Sequence, residues 1–228
     1  MTHYPFPDSR GTKIAFAAFF TAMLFLARDS MFTTAVIGFE KAQFLMLGVI
    51  CLLGVAFLIV NRRNLLQILK DRRMIVAGIA AAVLLLPMLV KRDWQLMYFS
   101  VLLCLLTAVF LSYFLTLRDA AKYYVVIMSV LGAYSVLAAY ILRIGVDSGA
   151  YAVPVFRNSM GFEFHNFFLS IVPDTYVKNR NFGIFREPGV YQFFLITALY
   201  LNNYEVEWKK TWQLWLVNGI LAATMVST

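Results

Sequence analysis

Long apolar runs alternate with short charged segments along most of this chain. Several runs approach the length of about 20 residues that an α-helix needs to cross a bilayer. The pattern predicts an all-α fold, that of a polytopic helical integral membrane protein with one transmembrane domain over residues 1–228. Seven predicted transmembrane helices lie at residues 12–27, 42–60, 74–90, 94–117, 123–142, 184–203 and 211–228.

Composition strengthens the membrane interpretation. Hydrophobic residues make up 61% of the chain, charged residues 14%, and the mean hydropathy is +0.74. Soluble domains are about 45–50% apolar and about 25% charged, so lipid is the better solvent for this chain. The net charge of +8 comes from basic residues scattered between the apolar runs. Since they form no continuous basic stripe, we expect membrane lipids and no nucleic acid as partners.

Lysine and arginine positions predict the orientation, because cytoplasmic loops carry an excess of both. With a cytoplasmic N-terminus, eleven of them lie inside: Arg10, Lys13, Arg62, Arg63, Lys70, Arg72, Arg73, Arg118, Lys122, Lys209 and Lys210. Four lie in the short outer loops: Arg28, Lys41, Lys91 and Arg92. Residues 143–183 are then a long extracytoplasmic loop. The last apolar run has no flanking charge after it, so we expect the chain to be the N-terminal part of a longer protein.

The predicted outer loop and its margin contain most of the polar chemistry. Four cations face four carboxylates: Arg157, Lys178, Arg180 and Arg186 against Asp147, Glu163, Asp174 and Glu187. This set is either a docking surface for an anionic lipid head group or an ordinary solvated loop. The segment GFEFHNFFLSIV, residues 161–172, is expected to be a short interfacial helix, a lid, or simple packing. His165 and Glu163 are a poor metal pair, because residues two apart do not share a helical face.

The segment NRNFGIFREPGVYQ, residues 179–192, suggests a mechanism. Pro188 suits the first position of a helix, whose N-terminus attracts anions. Glu187 is then a carboxylate at the cap, with Arg186 beside it and Arg180 nearby. A carboxylate that takes a proton and cations that hold a phosphate leaving group are two halves of a glycosyl transfer. The alternative is that Glu187 only caps the helix and pairs with arginine.

This segment resembles the signature of bacterial O-antigen and exopolysaccharide polymerases, in the O-antigen ligase-like superfamily. Matching positions are Arg180, Asn181, Gly183, Ile184, Phe185, Glu187, Pro188, Gly189 and Gln192. Many relatives have an aromatic residue at the position of Arg186. The layout is also similar, with several spans, a long outer loop and then the motif at the start of a helix. Relatives continue with further spans and a second outer loop.

The resemblance implies a metal-independent, cofactor-free lipid-linked glycosyltransferase in the bacterial plasma (inner) membrane. Its substrates are undecaprenyl-pyrophosphate-linked glycans, and a chain-length regulator protein is an implied partner. Glu187 would be the catalytic base or the carboxylate that positions the acceptor. Substrate-binding residues would be Arg180, Asn181, Arg186 and Gln192, with Arg157 from the loop. An O-antigen ligase, a lipid-linked sugar transporter or flippase, and a scaffold without chemistry stay open as alternatives.

We expect a topology reporter fused near Asn166 to be active only outside the cytoplasm, because the arginine and lysine bias places residues 143–183 there. Alkaline phosphatase and a cytoplasmic fluorescent protein are suitable paired reporters. Activity of the cytoplasmic reporter alone would contradict the orientation.

Overall fold

A computed structural model describes residues 70–92, 116–157, 162–174, 180–185 and 187–228. It also describes single positions at 18, 21, 22, 24, 30, 41, 44, 45, 48, 49, 52, 101, 102, 105, 108, 109 and 112. The chain divides into two compact units. One comprises Met1–Pro7 and Glu40–Thr116, and the other comprises Asp8–Phe39 and Leu117–Thr228. The described part is mostly helical.

The first unit contains helix α1, Arg72–Lys91. Asp71 caps it: its carboxylate accepts the backbone N–H of Arg73 at 2.8 Å. This hydrogen bond is the main reason that the pKa of the Asp71 carboxyl lies below its ordinary value. Helix α1 ends at Lys91, and its C-cap, Arg92, has left-handed backbone angles. Exposed aliphatic side chains cover the helix along its length: Ile75, Val76, Ile79, Val83, Leu86, Leu89 and Val90.

The second unit is built on a bundle of three helices. These are α2 (Leu117–Leu137), α4 (Pro188–Tyr204) and α5 (Thr211–Ser227). Each pair of the three is in contact. Their shared core contains small and aliphatic residues, among them Val125, Met128, Leu195, Ala198 and Leu221. Close packing of α2 on α5 depends on Gly132, since a Cβ there would lie 2.7 Å from Thr224 Oγ1.

Helix α2 does not stop where the bundle ends. It continues through a π-helical segment, Ala138–Leu142, into α3, Arg143–Asp147. Together they form one helix of 31 residues, Leu117–Asp147. At 1.5 Å per residue this helix is about 46 Å long, which exceeds the hydrocarbon thickness of about 30 Å. Its last five residues, Arg143–Asp147, are helical and belong to the segment predicted as the extracytoplasmic loop, 143–183, which stays a prediction.

A small antiparallel sheet packs against the far part of this long helix. Its strands are β1 (Val155–Arg157), β2 (Glu163–Asn166) and β3 (Ile171–Pro173), in the order β1-β2-β3. Phe167 and Val172 pack on Ala138 of the π-helical segment. The expected interfacial helix at residues 161–172 is wrong, and so is a strictly all-α fold. Aromatic and β-branched residues in this segment favour paired strands once the long helix offers a surface to cover them.

The predicted spans have different outcomes. Two described helices are long and apolar enough to cross a membrane, Arg72–Lys91 and Leu117–Asp147. They confirm the helices predicted at 74–90 and, with longer bounds, at 123–142. The last two predicted spans form α4 and α5, each of 17 residues. The predictions at 12–27, 42–60 and 94–117 fall mostly outside the described residues, so the structure does not support the number seven.

Polar and charged residues connect the three helices at the end of the bundle where α2 and α5 begin and α4 ends. Asn202 on α4 is buried and donates to Asn218 Oδ1 on α5 at 2.8 Å. The indole N–H of Trp208 donates to Asn202 Oδ1 at 2.7 Å. Arg118 and Glu207 form an exposed ion pair at 2.8 Å, which links the start of α2 to the α4–α5 connection. Helices α2 and α5 run parallel to each other and antiparallel to α4, and these contacts fix their register at this end.

We expect Gly132→Leu to destabilise the second unit by about 1–3 kcal/mol, because the added side chain overlaps Thr224 and forces α2 away from α5. Gly219→Leu is the matched control, since no atom lies within 4 Å of its would-be Cβ. Thermal unfolding in detergent measures both. Equal stability of the two variants would contradict the close packing.

Candidate functional site

An open depression of about 550 Å³ lies at the N-terminus of helix α4. It lies where α4 begins and α5 ends, at the end of the bundle nearest the sheet. Two residues predicted to bind substrate, Arg180 and Gln192, lie on its wall. Its lining consists of Arg180, Pro188, Gly189, Gln192, Val226, Ser227 and Thr228. The structure therefore brings together part of the predicted site.

The helix start forms as the sequence predicts. Pro188 occupies the first turn, and Glu187 is the N-cap with extended backbone angles, φ −138° and ψ 143°. The first backbone bond of the helix runs from the Tyr191 N–H to the Glu187 carbonyl oxygen, at 3.2 Å. The N–H groups of Gly189 and Val190 precede this bond and point towards the helix end. A partial positive charge is thus directed at the depression.

The carboxylate of Glu187 does not cap the helix, because it accepts no hydrogen bond from the first-turn amides. Its side chain is exposed next to the residues that line the depression. The side-chain cap in that alternative is therefore wrong, while pairing of Glu187 with arginine stays a prediction. An exposed carboxylate beside an anion-attracting helix end is compatible with a role in proton transfer.

Arg180 and Gln192 are both exposed. Arg180 contributes a guanidinium with five N–H donors, which suits bidentate contact with a phosphate. Gln192, one helical turn after Pro188, contributes an amide that both donates and accepts. A cation, an amide and a helix N-terminus around one open depression are an arrangement that suits an anionic group such as a diphosphate.

Asn181 lies in a different environment from its neighbour Arg180. Its side chain is 1% exposed, and both amide hydrogens are used within the protein. Nδ2 donates to Ser135 Oγ on α2 at 2.7 Å and to Ser227 Oγ on α5 at 3.0 Å. Its Oδ1 accepts the N–H of Gly183 at 2.9 Å. The structure thus gives Asn181 a positioning role, while contact with substrate stays a prediction.

Ser135 and Tyr191 complete this network, and neither is among the residues that the sequence predicts for the site. Ser135 Oγ donates to the Gly132 carbonyl at 2.8 Å and lies 3.0 Å from the Tyr191 hydroxyl. Because Ser135 has one proton, already given to Gly132, the Tyr191 hydroxyl is the donor in the second contact. A serine near the end of an apolar helix was the available signal, since polar residues there tend to bond across helices.

Packing around Gly183 holds the motif against α4. Gly183 has φ +55°, and a Cβ there would lie 2.6 Å from the Tyr191 ring. Only glycine combines this backbone conformation with so close an approach. Phe185 is fully buried and stacks on Phe194 with ring centroids 4.4 Å apart. The segment before Glu187 is therefore fixed on both sides of Ile184.

The remaining predicted residues lie elsewhere. Arg157 is on β1, where its Nε donates to Glu163 Oε1 at 2.7 Å, and it does not line the depression. Arg186 lies outside the described residues, so its role stays a prediction. His165 has Asp174 as its partner, with Nε2 3.4 Å from Oδ1. In the described residues, no group of three or more His, Cys, Asp or Glu side chains is arranged to hold a metal.

Comparison with protein-family models, curated proteins and solved structures finds no match for this chain.

We expect Asn181→Ala to lower the free energy of unfolding by about 1–3 kcal/mol, because Gly183 loses its buried acceptor and two serines lose a donor. Gln192→Ala, at an exposed position on the same depression, should change it by less than about 0.5 kcal/mol. Denaturant unfolding in detergent compares the two. An Asn181→Ala protein as stable as Gln192→Ala would contradict the positioning role.

Proposed function

We propose that the chain is part of a polytopic plasma-membrane glycosyltransferase that polymerises undecaprenyl-pyrophosphate-linked repeat units. The products are O-antigen, capsule or exopolysaccharide chains at the outer face of the membrane. The observation that carries this proposal is the depression at the start of α4. It gathers Arg180, Gln192 and a helix N-terminus beside the exposed carboxylate of Glu187.

The proposed reaction divides between two parts of the site. Arg180, with the N–H groups at the start of α4, binds the pyrophosphate of the donor and stabilises negative charge as the sugar–phosphate bond breaks. Glu187 takes the proton from the attacking hydroxyl of the acceptor sugar. Gln192 bonds to the sugar or to the diphosphate. Arg186 adds a second cation, and Arg157 contacts a more distant part of the glycan.

Exposed apolar surface supports placing the chain in a bilayer. Helix α1 leaves aliphatic side chains exposed along its whole length, and the bundle exposes Phe193, Ile196 and Leu216. Surfaces of this kind are rare on soluble monomers but natural in lipid. Burying the tail of a polyprenyl substrate in the same bilayer brings its diphosphate to head-group depth. In the proposed orientation, the N-terminus is cytoplasmic and the depression faces outward.

An O-antigen ligase uses the same donor chemistry and differs only in the acceptor that receives the glycan. The described residues provide no acceptor-specific feature, so the ligase is kept as the alternative within one superfamily. A transporter for lipid-linked sugars would not need a proton-accepting carboxylate at the outer surface. The exposed Glu187 therefore favours the enzyme.

We expect Glu187→Gln in the full-length protein to slow polymerisation about 100-fold or more, because general-base catalysis typically contributes that much. Glycan gels should show single repeat units in place of long chains. Normal long polymer from a stably expressed Glu187→Gln variant would contradict a catalytic role.

Arginine variants provide the matched controls. Arg180→Ala should also lose long polymer, and Arg180→Lys should recover little, since lysine cannot make the bidentate contact. Arg157→Ala should retain more polymer than Arg180→Ala, because the Arg157 guanidinium is already paired with Glu163. Equal loss in both alanine variants would argue against the depression as the diphosphate site.

A further inference from the structure

The β2–β3 hairpin runs alongside the long helix, and its two ends contact that helix at different levels along its axis. At the turn, the Phe167 carbonyl accepts the Tyr134 hydroxyl at 2.6 Å. At the open end, the Asp174 carbonyl accepts Arg143 Nη2 at 3.4 Å. Tyr134 and Arg143 are nine residues apart, or about 13 Å along the helix axis. The turn therefore points back towards the three-helix bundle.

The level of the turn can be placed relative to the bundle. Tyr134 is next to Ser135, which contacts Tyr191 in the first turn of α4 and, through Asn181, Ser227 at the end of α5. Helix α4 thus begins, and helix α5 ends, at the same level along the bundle as the turn. Helices of 17 residues are about 25 Å long, close to the hydrocarbon thickness of about 30 Å. With α4 and α5 embedded in the bilayer as proposed, this depth is where hydrocarbon gives way to head groups.

Polarity changes along the hairpin in the same direction. Its open end carries the charged and titratable groups: Glu163, His165 and Asp174, with Arg157, Arg143 and Asp147 beside them. The turn has the sequence Phe-Phe-Leu-Ser, residues 167–170, and contains no charged residue. Phe168 at its tip is 72% exposed. Such a distribution suits a hairpin with its turn in lipid and its open end in water.

The backbone N–H groups at the turn have hydrogen-bond acceptors within the protein, as an environment with little water requires. The N–H of Phe167 donates to the Ser170 carbonyl and that of Leu169 to the Phe167 carbonyl, each at 2.9 Å. The N–H of Phe168 donates to Asn166 Oδ1, also at 2.9 Å. Unsatisfied amides are costly in a bilayer, and these three are satisfied. Phe168 is held at φ +70°, an unfavourable angle for a bulky residue, and this conformation presents its ring outward.

We propose that the β2–β3 turn is a membrane anchor, with the Phe168 ring inserted at the head-group boundary of the outer leaflet. The partner is the lipid bilayer itself. This anchor rests on the proposed membrane embedding but not on the glycosyl-transfer chemistry. It fixes the sheet at the membrane surface beside the depression, as apolar rings fix interfacial segments.

A depth measurement tests the anchor. A single cysteine is placed at Phe168, Val130 or Ser148 after Cys51 and Cys104, the two cysteines of the chain, are replaced by alanine. Each variant of the full chain is labelled with a nitroxide and reconstituted in vesicles of phosphatidylethanolamine and phosphatidylglycerol. Power saturation then compares accessibility to oxygen, which partitions into lipid, with accessibility to a water-soluble nickel chelate.

The two controls bracket the result. Val130 is 59% exposed on α2, within the bundle, and should report lipid. Ser148 is exposed just after α3 and should report water. The oxygen-to-nickel ratio at Phe168→Cys should be several-fold above that at Ser148→Cys and approach that at Val130→Cys.

The outcomes distinguish a failure of the anchor from a failure of the membrane embedding on which it rests. A Phe168→Cys label as accessible to nickel as the Ser148→Cys label, with Val130→Cys in lipid, overturns the anchor alone. Nickel access at Val130→Cys overturns the membrane embedding and the anchor together. Adding Glu187→Gln should leave all three ratios unchanged, because the anchor does not depend on catalysis.

Discussion

A buried amide must use its hydrogen-bonding groups within the protein, and for Asn181 this requirement joins three parts of the chain. Its donors reach Ser135 on α2 and Ser227 on α5, and its carbonyl holds Gly183 in the motif segment. In a low-dielectric interior, an unpaired group of this kind is costly, so the partners can take few other arrangements. The relative positions of α2, α5 and the motif follow from this constraint.

The site depends on that arrangement. Arg180 is the residue before Asn181, so fixing the buried amide also fixes where the exposed guanidinium begins. Tyr191 bonds to Ser135 from the first turn of α4, which holds the helix start against the same point. One buried network thus aligns the cation, the helix N-terminus and the adjacent Glu187, while leaving their outer faces exposed. Electrostatic sites need such preorganisation, since donors that must first move contribute less.

The second unit has polar fastenings at both ends and apolar packing between them. Asn202, Asn218 and Trp208 bond to one another at one end, and the Asn181 network lies at the other. Between them, residues such as Val125 and Leu195 fill the core without polar atoms in their side chains. Beyond the second end, the long helix continues by itself and provides the surface on which the sheet forms. The bundle therefore determines where the site lies, and the continuation of its longest helix supports the hairpin.

Local chemistry in the sequence was sufficient to predict the apolar helices and the residue at which α4 begins. Pro188 removes an N–H that a first turn does not use, and in a bilayer an apolar run of about 20 residues satisfies its backbone hydrogen bonds as a helix. The roles of Asn181, Ser135 and the hairpin depended on residues far away in sequence, so no local pattern contained them. A segment such as residues 161–172 is compatible with helix or strand until the far part of the long helix covers it. Only the tertiary structure decided that this segment forms paired strands. Burial of Phe167 and Val172 on Ala138 stabilises the strand arrangement.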